Sequence, residues 1–208
     1  MRKWLISLLV MALGVLIFWS FLPHTKDFQV YQYLKMPHVS ERPAQKMLVV
    51  RVTGDPNVVG RKALFNLFQT FYALKFKNKK MTLEASRVRW LHAPDTPAEN
   101  WEGIYGLPVP DGIVRLPKFE TRLDPRPVLE TWNYGTVAEI LHSGPYAEEE
   151  ASLAKLRQFI TEQGYRITGP IEEEYLKGAG FFGRGDPKKY QTLLRFRVEK
   201  IPPTPVTR

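Results

Sequence analysis

Few side chains here are of the types and spacings that do chemistry. There is no cysteine, which removes thiol nucleophiles, disulfides, iron–sulfur clusters, cysteine zinc sites and a lipid-anchor cysteine. The histidines are His24, His38, His92 and His142. No two are spaced as ligands on one helix, so no metal is expected. No G-x-S-x-G elbow, P-loop or H-E-x-x-H occurs, and no catalytic residue is assigned. Gly178-Ala179-Gly180-Phe181-Phe182-Gly183 fits G-x-G-x-x-G. A dinucleotide would need a helix to follow, and Arg184-Gly185-Asp186-Pro187 breaks one. The run reads as a hairpin loop, and no cofactor is expected. Glu148-Glu149-Glu150 fits the dipole at a helix start better than a metal site.

Arginine and aromatic side chains are more suggestive. Arg195 and Arg197 share a strand face with Leu193, Arg51 is central in another strand, and Arg87 and Arg89 alternate in a third. If those faces line a groove, it suits an anionic or amphipathic ligand, because guanidinium forks bind carboxylates and phosphates bidentately. On an open sheet face the same arginines would point to solvent. Tyr146, Tyr175, Trp132, Tyr134 and Trp101 could form aromatic walls, with core packing as the alternative for each. The candidate ligand-binding set is Tyr146, Tyr175, Arg195, Arg197, Leu193, Trp132 and Arg51.

The elements that must position them follow from periodicity. Val49 to Pro56 and Val137 to Pro145 both read as a strand running into a turn, with Pro56 matching Pro145. Leu64, Leu67 and Phe71 match Leu153, Leu156 and Ile160 at the same offset, in helical spacing. The strand ends at Leu107-Pro108-Val109 and Phe196-Arg197-Val198 match again. The chain therefore reads as a duplication, each half strand, helix, strand, strand. Asp55 caps the first helix with Pro56 at its first position, and Pro145 plays that part in the second. In the last strand Tyr190, Thr192, Leu194, Phe196 and Val198 face one way, and Gln191, Leu193, Arg195 and Arg197 the other. That is an antiparallel sheet with one face under helices and one more open. The fold class is α+β, with two helices on one face of the sheet.

The chain has 208 residues, 44% hydrophobic and 25% charged. This excludes a disordered chain, a collagen-like repeat and a polytopic membrane protein. Trp4 to Leu22 carries no formal charge and as a helix would span roughly 28 Å, about the hydrocarbon thickness of a bilayer. Trp4 and Trp19 lie near its ends, and no small-x-small cleavage site follows. Residues 1–22 are expected to be a transmembrane signal-anchor. Arg2 and Lys3 place the amino terminus in the cytoplasm and the rest outside it. Residues 23–45 read as a tether, 46–201 as the domain, with halves at about 46–110 and 130–200, and 202–208 as a tail. The net charge of +9 suits anionic surfaces. No nucleic-acid module is present, so nucleic acid is not an expected partner.

The run Val137-Ala138-Glu139-Ile140-Leu141-His142-Ser143-Gly144-Pro145-Tyr146 resembles the GyrI-like small-molecule-binding family, with Gly169-Pro170, Tyr175 and Leu107-Pro108-Val109 in keeping. That family includes effector-binding domains of AraC- and MerR-type regulators. The resemblance implies two modules about a pseudo-twofold axis and a ligand groove between them. Members that bind cationic drugs or hydrolyse cyclopropanoid toxins use a closing-strand glutamate. The matching positions here are Leu193 and Ile104, with Glu102 and Glu139 as candidate substitutes. The resemblance thus implies a small-molecule-binding module, with a hydrolase or a closed-groove interaction module as alternatives. Haem-binding SOUL proteins share the fold, which makes a tetrapyrrole carrier a further variant. A protein partner beyond this is not identified.

Overall fold

The computed structural model describes residues 28–91, 96–118, 123–178 and 185–202. The expected anchor Trp4–Leu22, His24, His92 and all of the glycine run after Gly178 lie outside them. Among the described residues no helix is long and apolar enough to cross a membrane.

Two units follow one another, each introduced by an extra strand. β1 (His38–Arg42) leads into β2 (Gln45–Thr53), α1 (Pro56–Lys77), β3 (Arg87–Trp90) and β4 (Glu102–Pro108). β5 (Val128–Trp132) leads into β6 (Gly135–Ser143), α2 (Glu149–Glu162), a short β7 (Tyr165–Ile167), β8 (Ile171–Lys177) and β9 (Gln191–Lys200). The strands form one antiparallel sheet in the order β1-β6-β9-β8-β3-β4-β2-β5, with β7 on β9. The units meet at β3 and β8, where Val88 stands opposite Glu173.

The local chemistry that starts the helices is only partly shared. The Asp55 carboxylate accepts the Asn57 N–H at 2.8 Å, with Pro56 at the first helical position. In the second unit a 3-10 turn at Tyr146–Glu148 comes first, and α2 begins at Glu149 with no side-chain cap. Pro145 therefore does not repeat the role of Pro56. What the two starts share is a glycine at positive φ, +135° at Gly54 and +141° at Gly144. That conformation is open to glycine and strained for other residues. The matched stripes both face inward: Leu67, Phe71, Leu156 and Ile160 are fully buried.

The introductory strands are exchanged. β1 pairs with β6 and β5 pairs with β2. Only Pro43 and Ala44 separate β1 from β2, and only Asn133 and Tyr134 separate β5 from β6. These short links pull the two ends of the strand order together, so the sheet curls. Val137 of β6 packs with Met47 and Val49 of β2 inside the curl. The face expected to be open is thereby closed: Leu193 is fully buried and Arg195 is 2% exposed. The segment Phe28–Lys35 plugs one end, with Leu34 against Leu141 and Leu193.

Both helices lie on the outside of the curl. α1 packs on β2 and β4, and α2 on β6 and β9. β3 and β8 run between them as the floor of a trough at the junction of the units.

Candidate ligand-binding cleft

Alternation along β8 decides what the floor carries. Glu172 and Glu174 point into the curl, while Glu173 and Tyr175 point to the helix side, as strand geometry requires of successive residues. The Trp90 indole N–H donates to Glu173 Oε1 at 2.8 Å, and the Tyr175 hydroxyl donates to Oε2 at 2.7 Å. Both carboxylate oxygens are thus oriented, and Glu173 and Tyr175 are half-buried. Aromatic rings run outward from this point in both directions. Trp90 meets Tyr105 at 5.8 Å and Trp101 at 5.5 Å between centroids. Tyr146 stands edge-on to Tyr175 at 5.4 Å and tilted to Tyr190 at 5.1 Å. Gly60 of α1 lets the Tyr105 hydroxyl approach, since a Cβ there would sit 2.8 Å from it.

A second carboxylate enters from the start of α2. His142 fixes the turn that delivers it. Its Nε2 lies 3.1 Å from the Pro145 carbonyl and its Nδ1 3.0 Å from Ser152 Oγ. A carbonyl only accepts, so Nε2 carries the proton and Nδ1 accepts from the serine. Glu149 is 7% exposed, and its carboxylate is buried beside the Thr192 hydroxyl. Glu148 and Glu150 on either side are exposed.

Burial dominates the electrostatics. It pushes the Glu149 carboxyl up to about 8, with help from the charge of Glu173. Burial also raises Glu173, against the two hydrogen bonds from Tyr175 and Trp90 that favour its ionised form. The Tyr175 hydroxyl is held well above its ordinary value by burial and by Glu173. The consequence for stability has a definite sign. The folded-state value of Glu149 lies above the unfolded one, so its contribution is full below pH about 4.5 and is lost as pH rises through about 8. Glu149→Gln is therefore expected to lose less thermal stability than the wild type between pH 5 and 9. Parallel melting curves across this range check it, and coincident pH dependence would count against a buried ionising Glu149.

The candidate residues divide between two faces. Tyr146 and Tyr175 come together in the trough. Leu193, Arg195 and Trp132 lie inside the curl, and Arg51 and Arg197 are exposed. Arg51 is paired with Glu130 at 2.8 Å. Arg195 reaches Glu139 at 2.6 Å, Glu174 at 3.1 Å and also Glu172. Arg42 closes on Glu139 at 2.9 Å, Arg89 on Glu172 at 2.7 Å and Arg87 on Glu174 at 3.3 Å. The Tyr134 hydroxyl donates to Glu172 at 2.9 Å and accepts from Arg87 at 2.7 Å, and Arg89 lies 3.9 Å over Trp132. Arg42, Arg51, Arg87, Arg89 and Arg195 are thus matched by the protein's own carboxylates, away from the trough. Of the candidate substitutes for the closing-strand glutamate, Glu139 belongs to this network and Glu102 is exposed. Glu173, Glu149, Trp90 and Tyr105 were not anticipated. The usable signal was Glu172-Glu173-Glu174 inside a strand, which must send at least one carboxylate to each face.

The chain matches the GyrI-like small-molecule-binding domain over residues 35–198. No curated protein is similar in sequence. An uncharacterized conserved protein from Listeria innocua has the same fold with a TM-score of 0.68 at 22% identity, covering 83% of this chain and 97% of that one. A hydrolase from Listeria innocua follows with a TM-score of 0.67 at 22% identity, covering 82% and 95%. The C-terminal domain of EcmrR has a TM-score of 0.56 at 18% identity, covering 80% and 98%. The match spans both units, the exchanged strands and the trough between the helices, and the chain belongs to the GyrI-like small-molecule-binding domain family.

Proposed function

We propose that the trough between α1 and α2 binds a lipophilic, aromatic organic cation. One observation carries this reading: Glu173 is held by Trp90 and Tyr175 on an aromatic floor, with a second carboxylate, Glu149, beside it. Aromatic faces and a partly desolvated carboxylate together favour a delocalised positive charge. The anionic ligand suggested by the arginines has no support from the trough, because Arg51, Arg195 and Arg197 lie elsewhere. Crystal violet and a sulfonated anionic dye of the same skeleton make a matched pair for isothermal titration. The cation should bind and the anion should not. Affinity for the cation should rise as Glu149 ionises toward pH about 8. Preference for the anion would overturn the reading.

A hydrolase is the second reading, favoured by the adjacent carboxylates. One of them is kept protonated near neutral pH, as general acid–base chemistry needs. A ligand recovered chemically unchanged after long incubation supports binding alone. The run Trp4–Leu22 supports the further proposal of a single-pass anchor with the domain outside the cytoplasm. Reporter fusions at the carboxyl terminus should be active only for an exported reporter, and activity of a cytoplasmic reporter would reverse the topology.

A further inference from the structure

The outer face of α1 is unusual for a soluble surface. Val58, Phe65 and Phe76 are 67%, 56% and 83% exposed. They are spaced close to two and then three full turns apart on a helix of about 3.6 residues per turn, so they form one line roughly 27 Å long. That line is opposite the buried face made by Ala63, Leu67, Phe71 and Leu74. The helix contains no acidic residue. Arg61, Lys62, Lys75 and Lys77 flank the line, and Lys79 and Lys80 follow it. Lys62 faces Asp124 at 3.5 Å. Among the described residues no ion pair engages the other five.

We propose that this face of α1 rests on an anionic lipid surface. Exposed aromatic and aliphatic side chains enter the headgroup boundary, and a fringe of lysine and arginine meets lipid phosphates; this is the pattern of an interfacial helix. A second copy of the chain fits the face poorly. A twofold contact would set each basic fringe against another with no acidic residue of α1 to relieve it. The proposal rests on α1 alone and stands apart from the ligand reading of the trough.

The absence of cysteine makes the test direct, because Phe76→Cys creates a single labelling site. Full-length protein carries an environment-sensitive fluorophore at that position, or at Glu162→Cys on α2 as the control. It is mixed or reconstituted with phosphatidylcholine vesicles, with and without phosphatidylglycerol. The label at 76 should shift to the blue, and be quenched by spin-labelled lipid, only when the anionic lipid is present. The control label should not respond. An apolar amino-terminal anchor would hold the chain on either vesicle, so the difference between the two compositions reports α1. Lys75→Gln and Lys77→Gln should each raise the anionic lipid needed for half-maximal shift, roughly five-fold per charge removed. No shift with the anionic lipid, or an equal shift in pure phosphatidylcholine, would overturn the proposal. So would a shift that grows with protein concentration without vesicles, which would assign the face to a second copy.

Discussion

Glu173→Gln should weaken binding of an aromatic cation by about 100-fold, close to 3 kcal/mol, while leaving the fold intact. The magnitude is that of a charge-assisted contact in a partly desolvated site. The fold survives because glutamine keeps both local hydrogen bonds. Its carbonyl can accept from the Trp90 indole, and its amide can donate to the Tyr175 hydroxyl, which accepts as well as donates. Removal of a carboxyl that burial already opposes should also raise the melting temperature. The expected pattern, a more stable protein that no longer binds, separates loss of function from loss of structure. Titration and melting of the same preparation check both halves. A variant that binds as the wild type does would remove Glu173 from the site.

Arg195→Met should be the most damaging single substitution in the described domain. It leaves Glu139, Glu172 and Glu174 inside the curl without their shared cation. Each carboxylate keeps one more peripheral arginine, but loses its most buried counter-charge, and breaking a buried ion pair costs about 3–5 kcal/mol. The pH dependence should weaken. Burial by itself would raise Glu139, but Arg195 and Arg42 outweigh it and hold the carboxyl below its ordinary value. In the wild type this contribution is present above pH about 4.5 and fades as pH falls. Without Arg195 the burial of the three carboxylates is opposed only by Arg42, Arg89 and Arg87, so Arg195→Met should lose less stability than the wild type as pH falls. Urea unfolding at pH 5 and pH 8 distinguishes the two. A loss under 1 kcal/mol at both pH values would mean that the network contributes little.

The same network shows what the sequence could not convey. Alternation in β9 correctly separated Leu193, Arg195 and Arg197 from Thr192, Leu194 and Phe196. Period two assigns faces, but it does not say which way a sheet bends. The bend here comes from exchange of β1 and β5 between the units, enforced by links as short as Pro43-Ala44 and Asn133-Tyr134. Once the sheet curls, a face that reads as solvent-exposed becomes an interior, and arginines that look like ligand contacts become its counter-charges. The repeated order of strand, helix and strands was legible because each helix needs an apolar stripe, and Leu67 with Phe71 and Leu156 with Ile160 supply it. Tyr146 ends the run that begins at Val137 and Tyr175 follows Gly169-Pro170, and their rings meet edge-on. Glu173 was hidden in a triplet whose members serve opposite faces. Glu149 was hidden in another triplet, where Glu148 and Glu150 remain exposed as a helix start favours.

A crystal of the protein grown with tetraphenylarsonium would test the central claim most directly, because arsenic marks the cation by anomalous scattering. The trough reading requires a single strong peak between α1 and α2, within contact of Glu173 and the rings of Trp90, Tyr175 and Tyr146. A peak elsewhere on the molecule, with the trough empty at saturating cation, would contradict it.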